Sequence, residues 1–246
     1  RNFADVVKVS IPAAIHVLIL IAEKDLGGAL IFYITYIVIL YAATRKEGYI
    51  LLGAGALAAG AAAAYKLFYH VRVRVAAWKD PWSDVANKGY QVTQSLFAIG
   101  TGGWFGMGLC EGTPQKIPVS KTDFIFSAIC EEMGVFFGLC IILVEISCFV
   151  MFINISLKIN SRFYKLTALG LSVEYMFQTF LTIGGVTKFI PSTGVTLPLV
   201  SYGGSSVTST MILFAIIQGL YVKNSGRGEI GETDGKRQRR SRRNEE

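Results

Sequence analysis

The segment Pro191-Ser-Thr-Gly-Val-Thr-Leu-Pro-Leu-Val-Ser-Tyr-Gly-Gly-Ser-Ser206 decides how this chain is interpreted. It lies between two apolar runs that are each long enough to cross a bilayer. Its two prolines and three glycines are typical of turns, and its clustered hydroxyls and backbone amides can bind a polar ligand. Irregular backbone at the edge of hydrocarbon persists only where it is buried in protein or lines a polar cavity. The segment is therefore predicted to form part of a site, with a loop that only packs against helices as the alternative.

The composition excludes a soluble globular domain. Hydrophobic residues make up 52% of the chain and charged residues only 17%, and the apolar residues fall in runs of membrane-spanning length. We therefore predict an all-α, polytopic membrane helix bundle. Its six expected spans are 6–22, 28–43, 49–68, 134–155, 166–186 and 206–222. Because the chain begins with Arg1 and not with Met, a piece of a longer protein is expected.

Basic residues orient these spans. They cluster at alternate span ends, which must therefore lie on one side of the membrane; these residues are Arg1, Lys8, Arg45, Lys46, Lys158, Arg162 and Lys165. The positive-inside rule identifies that side as the cytoplasm. The long segment 70–132, which is expected to hold short helices, and the 191–206 loop are then both predicted to be extracytoplasmic.

The domain organisation follows from these spans. Residues 1–222 form a predicted transmembrane domain, and residues 223–246 form a basic tail that we expect to be disordered and cytoplasmic. Such a tail can bind nucleic acid, but its position directly after a membrane helix favours anionic lipid, so no nucleic acid partner is predicted. The four cysteines have no C-x-x-C spacing and indicate neither a disulfide framework nor a zinc site.

Asp123 is the strongest candidate for a catalytic carboxylate. It lies where the long loop is expected to meet the membrane surface, before the apolar Phe124-Ile-Phe126. The alternative is a carboxylate that only stabilises the start of a helix capped by Ser120. Glu145, Glu174 and Gln178 are predicted within the membrane, where charged and polar groups indicate a cavity or a partner.

Three blocks of the sequence resemble motifs of the SEDS family of shape, elongation, division and sporulation proteins (FtsW, RodA, SpoVE). They are the Gly89-Tyr-Gln-Val-Thr-Gln-Ser-Leu-Phe-Ala-Ile-Gly-Thr-Gly-Gly103 block, Thr122-Asp-Phe-Ile-Phe126 with Glu131-Glu-Met-Gly134, and the 191–206 loop. The family has ten membrane helices, so the resemblance implies that the six predicted spans are the last six. Val119, Lys121 and Val186-Thr-Lys188 depart from the family pattern.

The resemblance implies a peptidoglycan glycosyltransferase that polymerises lipid II during cell division, elongation or sporulation. Its expected partner is a class B penicillin-binding protein, a transpeptidase, and its expected location is the bacterial cytoplasmic membrane with an extracytoplasmic active site. Asp123 matches the catalytic aspartate. The expected substrate-binding residues are Arg74, Gln91, Gln94, Lys116, Lys121, Lys188, Ser201, Tyr202, Gly203, Gly204, Ser205 and Ser206.

Two further expectations concern how the enzyme holds the diphosphate and whether this chain is active by itself. The diphosphate of the substrate can be held by the outer cations or by a divalent cation, Mg²⁺ or Mn²⁺. The chain by itself is expected to be inactive, because its helices would lack their neighbours. Two rival functions also remain: a lipid II flippase or other transporter, and a non-catalytic scaffold of the cell-wall machinery.

Overall fold

The structure, a computed structural model, describes residues 3–243, with side chains described for residues 6–224. Its helices are α1 (Phe3–Ala22), α2 (Leu26–Thr44), α3 (Gly48–Leu67), α4 (Tyr69–Lys79), α5 (Tyr90–Gly102), α6 (Ile125–Lys158), α7 (Arg162–Val186) and α8 (Gly204–Arg243). Two short 3₁₀ helices, Pro81–Asp84 and Pro114–Lys116, lie in the long loop. No strand occurs in residues 3–243.

Five of these helices are long and apolar enough to cross a membrane: α2, α3, α6, α7 and the part of α8 at Gly204–Asn224. A sixth apolar helix, Val6–Ala22, is shorter. Helices suit this environment because they satisfy their own backbone hydrogen bonds without water. The prediction of an all-α, polytopic membrane bundle is confirmed.

Two ends of the bundle can be told apart by contacts between connecting segments. At one end, the Arg162 side chain donates a hydrogen bond to the Ala43 carbonyl (2.6 Å), which brings the α6–α7 turn beside the α2–α3 turn. Lys8, Arg45, Lys46 and Lys158 belong to this end, which we call the basic end. At the other end lie the 191–206 loop and the long segment between α3 and α6, which we call the loop end.

The tail follows α8 beyond the membrane-spanning part of that helix. Helix α8 continues to Arg243, whereas the sequence predicts disorder from residue 223. The side chains of residues 225–246 and the backbone of residues 244–246 lie outside the described part of the chain. The predicted disorder and cytoplasmic side of the tail therefore stay predictions.

Apolar packing forms two clusters between α6, α7 and their neighbours. The first lies below the loop end and contains Ala98, Ile117, Phe124, Phe126, Cys130, Val186 and Leu197. The second lies between α6, α7 and α8 and contains Phe152, Tyr175, Leu213 and Ile217. In it, the rings of Phe152 and Phe214 meet edge to face with centroids 4.8 Å apart, a favourable aromatic geometry.

Helix α6 is broken at Gly134, whose φ of 86° and ψ of 163° are accessible essentially only to glycine. The break leaves backbone groups unpaired, and residues 103–108, which we call the glycine loop, pair with them. The Val135 N–H donates to the Gly103 carbonyl (2.9 Å), and the Met107 N–H donates to the Glu131 carbonyl (2.9 Å). The sequence marks this stretch as glycine-rich, and the structure shows that its glycines permit close backbone packing.

We expect Gly134→Ala to destabilise the full-length protein by about 2 kcal/mol or more. A methyl group there would overlap with the backbone of Trp104, Phe105 and Gly106, and alanine does not tolerate this φ. The matched control is Gly100→Ala in α5, because a methyl group at Gly100 meets nothing within 4 Å. The control should stabilise by up to about 1 kcal/mol. Thermal unfolding in detergent measures both, and equal effects would contradict this account of the break.

Candidate functional site

The 191–206 loop enters the bundle beside α7. The Gln178 side-chain amide donates to the Thr196 carbonyl (2.9 Å), and the Thr182 hydroxyl donates to the Val195 carbonyl (3.0 Å). Gln178 lies about 12 Å along the helix before Val186, the last residue of α7. The loop therefore reaches below the end of α7, and side chains of α7 supply hydrogen bonds that water would otherwise make.

The second half of the loop is bound to the segment that contains Asp123. Ser201 is buried; its hydroxyl donates to the Thr122 carbonyl (2.7 Å) and accepts a hydrogen bond from the Leu197 N–H (2.8 Å). The Tyr202 N–H donates to the Lys121 carbonyl (2.8 Å). These bonds place the two motifs at the same end of the bundle, as the sequence predicts, and they also show that the motifs are in direct contact.

Asp123 precedes α6 instead of lying within its first turn. The helix begins at Ile125 with Phe124 as its N-cap residue and without a capping side chain, so the predicted Ser120 cap is wrong. Phe124 and Phe126 are buried in the apolar cluster and fix the segment from below. Val119 has a φ of 51°, a left-handed conformation that is strained for a β-branched residue.

Arg74 and Asp123 meet at Gly194, in the first half of the loop. The Arg74 guanidinium donates to the Thr193 carbonyl (2.9 Å). A Cβ placed on Gly194 would lie 3.2 Å from Arg74 Nη2 and 3.6 Å from Asp123 Oδ2, and the φ of Gly194 is 78°. Glycine is thus required at position 194, where a guanidinium and a carboxylate converge. The sequence alone does not identify Gly194 as a site residue.

The electrostatics of Asp123 reflect both burial and its cationic neighbour. Burial raises the pKa of the Asp123 carboxyl above its ordinary value, while a hydrogen bond from Thr122 and the positive charge of Arg74 partly oppose that shift. The Thr193 hydroxyl oxygen is buried and has no hydrogen-bond partner among the described residues. The Thr193 side chain lies toward α2, since a Cβ placed on Gly27 would be 3.5 Å from the Thr193 Cβ.

The remaining predicted residues fall into two groups. Gly204 begins α8, with Gly203 directly before it and exposed Ser205 after it, while the Ser206 hydroxyl pairs with that of Thr196 (2.8 Å). The second group contributes no side-chain hydrogen bond to Asp123 or the loop within the described part of the chain: Gln91, Gln94, Lys116, Lys121 and Lys188.

Three members of the second group hold the surrounding structure through their backbones, and one of them is Lys121, whose carbonyl accepts the hydrogen bond from the Tyr202 N–H. The Lys116 carbonyl accepts a hydrogen bond from the Tyr90 hydroxyl (3.1 Å), which links the long loop to α5. The Lys188 carbonyl accepts one from Trp78 Nε1 (3.2 Å), which links the end of α7 to α4. Their ammonium groups are left to solvent or a ligand.

The donor set does not fit a metal ion held by protein side chains alone. The described residues contain no group of three or more His, Cys, Asp or Glu that could hold a metal. At the site, Asp123 is a single carboxylate and Arg74 already supplies positive charge beside it. We therefore assign no role to a divalent cation in the chemistry below.

The contact between the two motifs can be tested at Ser201. Ser201→Ala should cost about 1–3 kcal/mol, because it leaves the Leu197 N–H and the Thr122 carbonyl without their partner. Ser205→Ala is the matched control, since the Ser205 hydroxyl is exposed and makes no hydrogen bond within the described residues; it should change stability by less than about 0.5 kcal/mol. Thermal unfolding of the full-length protein measures both effects. Equal stabilities of Ser201→Ala and Ser205→Ala would contradict the contact between the two motifs.

Known proteins have sequences related to this chain. The peptidoglycan glycosyltransferase RodA of Mycobacterium tuberculosis is 41% identical over 203 residues, which cover 82% of this chain and 43% of RodA. A probable peptidoglycan glycosyltransferase FtsW of a Geobacter species is 34% identical over 219 residues, covering 86% of this chain and 58% of that protein. The chain thus spans about half the length of these relatives.

A solved structure has the same fold. It belongs to a study of how a peptidoglycan synthase complex coordinates polymerization and crosslinking; it superposes with a TM-score of 0.71 at 25% identity and covers 87% of this chain and 61% of its own chain. Residues 1–226 match the FtsW/RodA/SpoVE family, described as cell cycle proteins. Because this match includes every helix that positions Arg74, Asp123 and the 191–206 loop, the chain belongs to the FtsW/RodA/SpoVE family.

Proposed function

We propose that the full-length protein is a peptidoglycan glycosyltransferase that polymerises lipid II, with Asp123 as its general base. The observation that carries the proposal is the convergence of the Asp123 carboxylate and the Arg74 guanidinium at Gly194. The relatives named peptidoglycan glycosyltransferases support it. Since the chain covers 43% of RodA, the activity is proposed for the whole protein.

The reaction joins two sugars by displacement of a diphosphate. The 4-hydroxyl of an acceptor sugar attacks the anomeric carbon of a donor sugar, a new C–O bond forms, and the bond from that carbon to the diphosphate oxygen breaks. Asp123 takes the proton of the attacking hydroxyl. The diphosphate leaves as an anion, so cations that stabilise its negative charge matter more than a general acid. The enzyme therefore needs only one carboxylate, which acts as the base.

The surroundings of Asp123 suit this role. A base works best when its pKa approaches the working pH, and burial moves the pKa of Asp123 in that direction. Arg74 favours the ionised carboxylate and can also pair with phosphate oxygens through its planar fork of donors. The ammonium groups of Lys116, Lys121 and Lys188 supply further positive charge on the loop-end segments.

The setting of this reaction is inferred in the same way. The loop end is proposed to be extracytoplasmic and the basic end and tail cytoplasmic, as the charge distribution of the sequence favours. A class B penicillin-binding protein is the proposed partner, supported by the structural similarity to a component of a peptidoglycan synthase complex. The 246-residue chain alone is proposed to be inactive, because α3 is exposed along most of its length and Gly53 is its single buried residue.

Asp123→Asn should lower the rate of lipid II polymerisation by the full-length protein about 10²- to 10⁴-fold, because asparagine cannot accept the proton. Gel separation of the glycan products measures this. Asp84→Asn is the matched control: Asp84 lies in the same long loop, and hydrogen bonds from Asn87 and Lys88 lower its pKa. Near-normal turnover by Asp123→Asn would show that Asp123 is not the general base. Transport of lipid II by that variant would favour the alternative function, a lipid II flippase.

Stability provides an independent readout on the same variant. The folded state binds a proton at Asp123 more tightly than the unfolded state does, because its pKa is raised. The stability of the unmodified protein should therefore fall, relative to Asp123→Asn, as the pH rises above 3.8 through the raised pKa. Unfolding midpoints measured from pH 4 upward should show Asp123→Asn equal or more stable at neutral pH. A less stable variant would indicate a structural carboxylate.

Arg74→Gln should lower kcat/KM for lipid II about 10²-fold, since it removes a donor aimed at the charge that develops on the diphosphate. Arg72→Gln is the matched control. Arg72 is two residues away on α4, and its guanidinium lies 5.8 Å from the Tyr69 ring centroid. The control should retain activity within about threefold, and equal losses in the two variants would indicate a general charge effect on substrate approach.

A further inference from the structure

A groove of about 630 Å³ runs between α6 and α8 at the basic end, away from the site described above. Its upper wall is apolar and includes Ile146, Val150 and Met151. Along α6 the groove extends from Ile146 to Lys158, which corresponds to about 18 Å of helix. This length slightly exceeds half of the ~30 Å hydrocarbon core, so the groove matches the acyl region of one leaflet.

The lower part of the groove is polar. Asn154 and Gln218 line it with side-chain amides that are exposed and have no hydrogen-bond partner among the described residues. Both belong to membrane-spanning helices. An amide that faces hydrocarbon without a partner is costly. These two amides therefore indicate a ligand that brings hydrogen-bonding groups to a depth of one or two helical turns inside the ends of the membrane-spanning segments, Lys158 and Asn224.

The groove ends in a positive charge. Lys158 is the last residue of α6, and its ammonium group has no partner among the described residues. Two nearby lysines are engaged with the protein instead: Lys165 Nζ donates to the Leu157 carbonyl (3.0 Å), and Lys223 Nζ donates to the Tyr164 hydroxyl (2.8 Å). Among residues 6–224, whose side chains the structure describes, no Asp or Glu lines the groove.

The groove is also held in shape at its base. The Asn224 side-chain amide donates to the Lys158 carbonyl (3.1 Å), which fixes α8 against α6 at the position where the charge lies. From this contact towards the middle of the membrane, the groove is lined first by the charged Lys158, then by the amides of Asn154 and Gln218, and then by apolar side chains. A phospholipid has the same order of groups: a phosphate head, a glycerol backbone with ester oxygens, and acyl chains.

We propose that the α6–α8 groove binds one anionic phospholipid. Its phosphate pairs with Lys158, its glycerol and ester oxygens accept hydrogen bonds from Asn154 and Gln218, and an acyl chain lies along Ile146, Val150 and Met151. Lysines at the membrane surface attract anionic lipid headgroups, and the sequence after the membrane-spanning part of α8, residues 225–243, is also rich in Lys and Arg. This proposal does not depend on the glycosyltransferase activity, because the groove shares no residue with the Asp123 site.

Native mass spectrometry of the full-length protein in detergent tests the proposal, with phosphatidylglycerol and phosphatidylcholine as probes. The unmodified protein should retain phosphatidylglycerol more strongly. Lys158→Gln should weaken phosphatidylglycerol binding about fivefold, the effect of one lysine near an anionic lipid surface. Lys8→Gln is the control: this exposed lysine also lies at the basic end but does not line the groove, and binding should be unchanged.

A second variant and a cross-link complete the test. Asn154→Leu combined with Gln218→Leu should weaken the binding of both lipids, while unfolding measurements confirm that the variant is folded. A photoreactive amino acid in place of Met151 should cross-link to phospholipid in membranes. Equal retention of the two lipids by the unmodified protein, equal effects of Lys158→Gln and Lys8→Gln, or a cross-link to another protein would overturn the proposal.

Discussion

Where the backbone of a membrane protein departs from helical geometry, its N–H and C=O groups must find hydrogen-bond partners within the protein, because the hydrocarbon core offers no water. The loop end of this chain contains two such departures from helical geometry. At the break in α6, the glycine loop exchanges hydrogen bonds with the residues on both sides of Gly134. In the 191–206 loop, Gln178, Thr182 and Ser201 supply the partners. The geometry of the site depends on these two sets of bonds.

The two departures also determine where charge can be placed. The 191–206 loop brings Gly194 to the point where Arg74 and Asp123 converge, and Ser201 binds the backbone directly before Asp123. Burial of the carboxylate opposes its ionisation, and the guanidinium partly compensates. A carboxylate in this balance is less stable than one in water but is a stronger base. The fold therefore gives up some stability at the carboxylate that we propose as the general base.

The two ends of the bundle present different chemistry to the membrane. The loop end collects hydroxyls, glycines and a guanidinium–carboxylate pair around irregular backbone. The basic end collects lysines and arginines at helix ends and leaves the α6–α8 groove open, with Lys158 at its base. The aromatic cluster of Phe152, Tyr175 and Phe214 packs α6, α7 and α8 together between the two ends. The two ends thus carry positive charge on separate sets of residues, Arg74 at the loop end and Lys158 at the basic end.

The sequence by itself determined the membrane class, the approximate helices and the family, and it identified Asp123 as a candidate, because hydrophobic runs and contiguous motifs are local properties of a chain. It predicted a Ser120 cap that does not form, and it did not identify Gly194 as the meeting point of two charges. Those features depend on hydrogen bonds between residues far apart in sequence, such as Arg74 with Thr193 and Ser201 with Thr122. Only the tertiary structure decided them, since such contacts form when the packing of α2, α6 and α7 places the loop and the Asp123 segment side by side.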